Sequence, residues 1–269
     1  SGGVRQRGSV GAAGEFGHNK IVAAQGLPCR CGEKIVLRLL HQVEQTLDLQ
    51  ALGLSPQQLA TFHSALNQPQ GLLLVTGPTG SGKTVTLYSA LQARNREQVN
   101  ICSVEDPLEI PIAGMNQTQI NPRAGLTFHS VLRALLRQDP DIVLVGEMRD
   151  QTTAEIGMRA AITGHMVLST LHTNDAPQTI ARLMNMGIAP YNITSSVTLV
   201  IAQRLARRLC PHCKRKMRLP DHALVAEGFS EAEVHAGFDV YEAVGCEECT
   251  EGYKGRTGLY QVMPMTDEI

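Results

Sequence analysis

The feature that most constrains the fold is a glycine-rich segment that follows a short apolar run. Residues 72–76 read Leu-Leu-Leu-Val-Thr, which is typical of a strand buried on both faces. The residues that follow fit the spacing G-x-x-x-x-G-K-[S/T]: Gly77, Pro78, Thr79, Gly80, Ser81, Gly82, Lys83 and Thr84. In this motif the backbone N–H groups surround a phosphate, the lysine reaches the outer phosphates, and the hydroxyl ligates Mg²⁺. The segment therefore predicts a strand–loop–helix unit that binds ATP with Mg²⁺ held by Thr84.

The rest of the central chain alternates strand and helix patterns. Further short apolar runs at 101–104, 142–145 and 166–169 predict buried strands. Residues 127–137 predict an amphipathic helix capped by Thr127, and a second helix starts at Asp175 and stops at Gly187. Ser55-Pro56 opens an earlier helix. Strands that alternate with helices predict an α/β fold with a mostly parallel sheet.

Acidic residues follow two of the predicted strands. Glu147 comes directly after the run 141–146, and Glu105 ends the run that starts at Ile101. Because ligands of open α/β sheets bind at the carboxyl ends of strands, both carboxylates are expected near the glycine-rich segment. Glu147 is placed to activate a water molecule, whereas Gly146 stands where a magnesium-binding Asp is usual. The alternative for both glutamates is a structural role, capping helices or loops.

Other polar residues near the predicted strand ends admit two interpretations each. His172 follows the run 166–169, where it either contacts a γ-phosphate oxygen or is an ordinary structural histidine. Arg133 and Arg137 are four residues apart, so they either reach the phosphates of a neighbouring subunit or form a solvated face. Arg149, two residues after Glu147, is ambiguous in the same way.

Four of the seven cysteines form two C-x-x-C pairs: Cys210, Cys213, Cys246 and Cys249. Thiolates at this spacing close a tetrahedral zinc site without an open position, so we predict a structural metal site; redox pairs or unligated thiols are the alternatives. The intervening residues 214–245 are longer than in common zinc ribbons, and we expect a helical excursion there. His212 is expected to be a bystander, Cys29 and Cys31 ordinary thiols, and Cys102 a core residue.

Composition excludes several classes of protein. Apolar residues make up 43% of the 269 residues, which excludes wholesale disorder, and the net charge of −1 excludes a general polyanion binder. There is no Trp and aromatics are 4%, which argues against base-stacking surfaces.

We see no membrane-spanning run and no signal peptide, and expect a cytosolic protein. The basic stretch 204–218 is a solvated face, a docking surface for an acidic partner or anionic lipid, or, least favoured, a nucleic-acid contact.

Taken together, these motifs resemble the secretion-type ATPases of type II secretion and type IV pilus assembly. The resemblance covers about residues 31–260 and rests on long matching segments: GPTGSGKTVTLYSAL, ICSVEDPLEIPIAGMNQTQINPRAGLTF, LRALLRQDPDIVLVGEMRD, TGHMVLSTLHTNDA and IAQRLARRLCPHC. The cysteine module is typical of the extension motors of that family, and retraction motors generally lack it.

The resemblance implies a RecA-like ATPase domain preceded by a smaller α/β domain, working as a ring hexamer. It places Glu105 in the family's acidic box, makes Glu147 the Walker B glutamate and places His172 in the histidine box. Arg133, Arg137 and Arg149 match arginines near the site, and Arg38 matches one supplied by the smaller domain. The implied partners are an inner-membrane platform protein and a cytoplasmic adaptor, which puts the protein at the cytoplasmic face of a bacterial inner membrane.

We divide the chain at residues 40, 70 and 205. Residues 1–40 are interpreted as a remnant of the smaller domain, with its first 26 residues irregular, and 41–70 as a helical linker. Residues 71–205 are the RecA-like core, and 206–269 are the zinc module with the start of a truncated helical region. Ala23 stands where the family usually has an arginine.

Three other functions are compatible with these motifs. A nucleic-acid translocase or helicase would also have a RecA-like core. A small-molecule kinase would transfer the phosphate to an acceptor, but the sequence shows no evident lid. A nucleotide-binding assembly subunit without turnover is the third.

Overall fold

The computed structural model describes residues 47–266 in full, together with the backbone of residues 15–16, 19–29 and 32–40. The chain divides into two compact units, residues 1–46 and 47–269. In the first unit, strands β1 (Glu15–Phe16), β2 (Asn19–Cys29) and β3 (Gly32–Leu40) form an antiparallel sheet in that order. The strand expected over 33–40 is confirmed. The expectation of irregular structure is wrong for residues 19–26, which belong to β2, while Cys31 and residues 41–46 lie outside the described residues.

The second unit begins with a short 3-10 helix and continues as an alternation of helices and strands. Its first half contains α1 (Pro56–Leu66), β4 (Gly71–Thr76), α2 (Lys83–Arg94), β5 (Ile101–Glu105), β6 (Asn116–Gln119), α3 (Phe128–Leu135) and β7 (Ile142–Val145). Then follow α4 (Gln151–Ile162), β8 (Met166–Leu171), α5 (Ala176–Asn185), α6 (Pro190–Ser196) and β9 (Val197–Leu209). The final part contains β10 (Arg215–Met217), α7 (Asp221–Ala226), α8 (Glu231–Ala236), β11 (Val240–Glu242) and β12 (Tyr253–Pro264).

A seven-stranded sheet organises this unit, in the order β12-β9-β4-β8-β7-β5-β6. All neighbouring strands are parallel except β12, which runs antiparallel to β9. The predicted α/β class with a mostly parallel sheet is therefore confirmed. The order places the ends of β4, β8 and β7 side by side, so the residues that follow these three strands meet at one edge.

The central strands are buried because helices cover both faces of the sheet. Every residue of β4, β5, β7 and β8 is buried. Along β4, Leu72 and Leu74 enter one hydrophobic cluster, whereas Leu73 and Val75 enter the other on the opposite face. This alternation explains why the strands are continuous apolar runs instead of alternating polar and apolar positions.

The predicted helix starts agree with the capping geometry, and one predicted end does not. The Ser55, Thr127 and Asp175 side chains each accept a hydrogen bond from the third backbone N–H of their helix. Helix α3 ends at Leu135, so the prediction of a helix to residue 137 is wrong. The chain turns at Asp139, which has a positive φ of 50° and precedes a proline, a position that disfavours helix. Arg137 therefore lies beyond the helix that carries Arg133.

An arm made by β9 and β12 extends past the rest of the sheet. The first residues of β9, up to Ala202, pair with β4, whereas β9 from Gln203 to Leu209 pairs with β12 alone.

The segment 214–245 contains strands as well as helices, so the prediction of a helical excursion is only partly right. The helices α7 and α8 lie between β10 and β11, and these two strands pair with each other. Among the described residues, no helix is long and apolar enough to cross a membrane.

Candidate functional site

The glycine-rich loop (residues 77–82) connects the buried end of β4 to the first turn of α2. Gly77 has a φ of 144°, and a Cβ added there would lie 2.2 Å from the backbone carbonyl oxygen of Gln203. Gly82 has a φ of 88° and is the N-cap of α2. Residues with a side chain rarely adopt these backbone φ angles, so glycine is required at both ends of the loop. The resulting loop presents the positive end of α2 at the edge of the sheet.

Lys83 folds back over this loop. Its Nζ donates to the carbonyl oxygens of Gly77, at 2.9 Å, and Pro78, at 3.1 Å. Burial lowers the pKa of Lys83, and the negative charges of Glu147 and Glu109 partly offset that shift. The ammonium group is thus held against the carbonyl groups of the loop, and nearby carboxylates act on its charge.

The loop fits a phosphate group. The Ser81 hydroxyl is buried and, among the described residues, has no hydrogen-bond partner, so it is free to bond a phosphate oxygen. A Cβ at Gly80 would meet no atom within 4 Å, so the outside of the loop is open. Thr84, predicted to ligate Mg²⁺, lies half-buried in the first turn of α2 next to Lys83.

Glu147 lies just past β7, and its two carboxylate oxygens contact two different side chains. Its Oε2 is 2.7 Å from the Nε of Arg149, and its Oε1 is 3.1 Å from the Nε2 of His172. The carboxylate side chain is 19% exposed, whereas Arg149 and His172 are 58% and 47% exposed. Hydrogen bonding to Glu147 raises the pKa of Arg149. The structure thus brings together three of the residues that the sequence analysis selected.

The loop that carries His172 is tied to the start of the glycine-rich loop. The Thr76 hydroxyl donates to the carbonyl oxygen of Leu171 at 3.0 Å and accepts from the backbone N–H of Thr173 at 3.0 Å. Since Thr76 is the last residue of β4, these bonds couple the ends of β4 and β8. The sequence analysis did not identify this pair of threonines, because nothing local to either one indicates a partner nearly a hundred residues away.

Glu105 is in a different environment. It is buried, and its Oε1 accepts from the Ser103 hydroxyl at 2.6 Å while its Oε2 accepts from the Tyr88 hydroxyl. Gln117 Nε2 lies 3.5 Å from Oε1. Burial, followed by the hydrogen bond to Glu105, raises the pKa of Tyr88 well above its usual range. Glu105 therefore connects β5 to α2 inside the protein, and its role toward metal or water stays a prediction.

The structure shows no contact between Glu147 and Arg133 or Arg137 among the described residues. Arg133 is exposed near the end of α3, and Arg137 is exposed two residues beyond the helix. Arg38 lies in β3, opposite Ala23 of β2 in the strand register, and its side chain is outside the described part of the chain. The roles of Arg38, Arg133 and Arg137 toward a nucleotide stay predictions.

A cavity of about 640 Å³ opens beside the glycine-rich loop. Its wall consists of Pro78, Thr79, His172, Thr173, Asn174, Gln178, Ala181, Arg182 and Asn185. The last four lie on α5, for which the sequence predicted only the start and the end. Their spacing of three to four residues is that of one helix face, the signal that would have indicated them.

The four paired cysteines converge at the end of the arm. Their Sγ atoms all lie within 4.8 Å of one another, with 3.9 Å between Cys210 and Cys246 and 3.7 Å between Cys213 and Cys249. Four thiolates around zinc at about 2.3 Å are about 3.8 Å apart. The backbone N–H groups of Gly245 and Cys246 point at Sγ atoms of Cys213 and Cys249, at 3.3 and 3.2 Å. The residues therefore fit a tetrahedral metal ion.

The basic stretch 204–218 is largely paired with acidic and aromatic groups. Arg207 stacks on the Tyr253 ring at 4.0 Å, and Lys214 lies 4.3 Å over the Tyr241 ring. Arg215 pairs with Glu242 at 2.7 Å, and Lys216 pairs with Asp239. This pairing reduces the positive charge that the stretch presents and favours the solvated face among its three interpretations.

Comparison with known proteins agrees with this geometry. Protein transport protein HofB homolog of Escherichia coli K12 is 60% identical over 243 residues, which cover 90% of this chain and 51% of that protein. Type IV pilus assembly ATPase PilB of Acinetobacter baylyi is 56% identical over 244 residues, 90% of this chain and 42% of that protein. The chain thus spans about half the length of these relatives.

A solved structure is also similar. The crystal structure of the pilus retraction motor PilT with bound ADP superposes with a TM-score of 0.61 at 34% identity, covering 75% of this chain and 59% of that one. The family described as Type II/IV secretion system protein matches residues 17–269, nearly the whole chain. The chain belongs to the type II/IV secretion system protein family.

Proposed function

We propose that this chain is the ATPase part of a motor subunit that powers the assembly of type IV pili or of type II secretion pseudopili. The observation that carries the proposal is the placement of Lys83 against the carbonyl groups of the glycine-rich loop, with Glu147 close enough for its charge to act on Lys83. A cation and a carboxylate beside one phosphate-sized loop are groups that phosphoryl transfer to water uses. The similarity to PilB and to an ADP-bound PilT supports the same reaction.

Each residue near the loop has a task in this proposal. The backbone N–H groups of residues 77–84 and the Lys83 ammonium bind the β- and γ-phosphates. The Thr84 hydroxyl holds Mg²⁺, which supplies charge neutralisation when bound. Glu147 orients a water molecule and accepts its proton, and Arg149 and His172 hold its two oxygens in position. His172 would also sense the γ-phosphate, and Glu105 would tune the surroundings of the metal and the water.

The proposal extends to the assembly. Family resemblance supports a homo-oligomer, a hexamer in the full-length protein, in which Arg133 and Arg137 of one subunit and Arg38 of the first unit complete a neighbouring site. Its partners are an inner-membrane platform protein and a cytoplasmic adaptor, at the cytoplasmic face of the bacterial inner membrane. Contact with anionic lipid is a weaker part of the proposal, because much of the basic stretch is already paired.

Zinc is the metal we propose for the four cysteines. A site closed by four thiolates has no position for substrate, so the ion would stabilise the end of the arm and take no part in hydrolysis. Elemental analysis of protein purified without chelator tests this, with one zinc per chain expected. A metal content near zero would exclude zinc as a resident ion.

The experiment that tests the proposed activity is Mg²⁺-dependent phosphate release as a function of protein concentration. We expect activity that rises faster than linearly, because a neighbouring subunit completes the site. Replacement of the water-activating carboxylate, Glu147→Gln, is expected to reduce turnover by about 10²–10⁴-fold while ATP binding persists. The matched control is Glu155→Gln, which removes an exposed carboxylate on α4.

Two outcomes would contradict the proposal. Tight ATP binding with no phosphate release in either protein would favour a nucleotide-binding assembly subunit without turnover. Stimulation of hydrolysis by single- or double-stranded DNA would favour a nucleic-acid translocase, the alternative that composition and family disfavour.

Removal of Mg²⁺ tests the predicted magnesium site separately. EDTA is expected to abolish phosphate release, and full activity in EDTA would exclude the magnesium site at Thr84.

A further inference from the structure

Gln203 is a buried side chain that the proposed function leaves unused. It is 3% exposed and follows Ala202, the residue of β9 that pairs with Thr76 at the end of β4. At this point β4 leaves the sheet to become the glycine-rich loop, whereas β9 continues straight on. Gln203 is therefore the first residue of the arm that lies beside the loop.

The contacts of Gln203 reach both ends of the loop. Its backbone carbonyl oxygen lies against Gly77, where an added Cβ would be 2.2 Å away. Its side-chain Nε2 lies against Gly82, where an added Cβ would be 2.9 Å away. Its Oε1 accepts a hydrogen bond from the Thr86 hydroxyl, in the first turns of α2, at 2.7 Å. One residue thus contacts the start of the loop, its end and the helix that follows.

Gln203 is itself held in position. Across the arm it pairs with Tyr260 of β12, whose hydroxyl donates to the carbonyl oxygen of Leu52 at 3.0 Å. Burial raises the pKa of Tyr260. The Thr86 hydroxyl donates to Gln203, so α2 is attached to β9 at the turn next to the glycine-rich loop.

Loop shape matters because the loop binds through backbone N–H groups. Such donors stabilise a phosphate best when they already point at it, since no reorganisation is then needed. We propose that Gln203 is a positioning residue that braces the two ends of the glycine-rich loop in its phosphate-binding shape. This inference rests on the proposed function, because it assumes that the loop binds a nucleotide.

The test measures the dissociation constant of Mg-ADP at a temperature well below unfolding. Gln203→Met keeps the length and packing of the side chain but removes the acceptor for Thr86. We expect it to weaken ADP binding about 5–10-fold, the change that corresponds to one buried hydrogen bond. Thr86→Val removes the same bond from the other side, and the double variant is expected to bind no more weakly than Thr86→Val alone.

A control separates positioning from general loss of stability. Asn100 is half-buried just before β5, at the opposite end of the strands from the loop, and its Nδ2 donates to the carbonyl oxygens of Gln138 at 2.9 Å and Asp139 at 3.0 Å. Asn100→Ala is expected to lower the unfolding temperature and leave ADP affinity unchanged. The inference is overturned if Gln203→Met binds ADP as the native chain does, if its effect adds fully to that of Thr86→Val, or if Asn100→Ala weakens binding equally. Failure of the native chain to bind ADP would instead refute the proposed function, and the inference with it.

Discussion

The sheet edge around the glycine-rich loop and the cysteine module at the end of the arm (residues 210–252) are built on opposite principles. At the sheet edge, every strand that delivers a functional residue is buried along its whole length. In the cysteine module, Cys210 and Leu224 are the buried apolar residues, while Phe229, Phe238 and Val244 are each at least 40% exposed. One site is held by a hydrophobic core and the other by its own four thiols.

The difference teaches where the stability of each site comes from. A loop at the end of buried parallel strands keeps its shape because the strands cannot shift without opening the core. A module of two short helices and two three-residue strands buries too little apolar surface to fold alone, and small modules of this kind depend on a metal. The following predictions are ordered by the size of the expected effect.

Removal of the proposed zinc ion is expected to have the largest effect, and only on the cysteine module. Structural zinc binds small modules with an apparent free energy of about 10–16 kcal/mol, so Cys246→Ser or chelation should expose the backbone amides of residues 210–252 to exchange. Hydrogen exchange detected by mass spectrometry measures this. The amides of β4, β7 and β8 should stay protected, and His212→Gln, in the same turn, should leave the module unchanged. Loss of protection in both regions together would show that the two are one cooperative unit.

Truncation of a buried side chain in the seven-stranded sheet should destabilise the sheet and leave the cysteine module unaffected. Leu168, in the centre of β8, is fully buried, so Leu168→Ala is expected to lower the free energy of unfolding of the second unit by about 2–5 kcal/mol. Chemical denaturation followed by circular dichroism measures the change. The matched control is Leu259→Ala on β12, which is 57% exposed and should cost within about 0.5 kcal/mol.

Removal of one buried hydroxyl should have an intermediate effect. Tyr88→Phe leaves the Oε2 of Glu105 without its donor inside the protein, and an unsatisfied buried acceptor costs about 1–3 kcal/mol. The free energy of unfolding should fall by that amount, while Tyr191→Phe, on a side chain 71% exposed, should change nothing measurable. Equal values for both variants would show that Glu105 finds another donor.

The smallest effect is expected from an aromatic truncation in the cysteine module. Phe229 contacts Phe238 with ring centroids 4.7 Å apart, and such a pair contributes about 0.5–1.5 kcal/mol. Phe229→Ala should therefore destabilise the metal-bound module by about 1 kcal/mol and leave the core untouched. The same substitution at Phe62, which is fully buried, should cost about 3–5 kcal/mol. Similar costs at both positions would break the comparison between the two regions.

The sequence predicted the parts of the fold whose signals are local. The runs at 72–76, 142–145 and 166–169 are mostly apolar and lie within the buried strands β4, β7 and β8, and the helix starts at Ser55, Thr127 and Asp175 have their own caps. Strands β6 and β12 were not predicted, because β6 is a short polar edge strand and β12 alternates weakly with many exposed residues. The helical excursion over 214–245 was partly wrong, since the pairing of β10 with β11 bridges residues far apart in sequence.

The candidate site divides in the same way. The sequence by itself determined the glycine-rich loop, the positions of Glu147 and His172 after their strands, and the spacing of the four cysteines, because each depends on residue type within a few positions. Only the tertiary structure decided that Arg149 and His172 bind one carboxylate, that Glu105 points inward to Tyr88, and that Gln203 lies against both ends of the loop. These contacts depend on strand order and register. Both are set by the packing of the whole sheet, and the residue type at a single position does not indicate them.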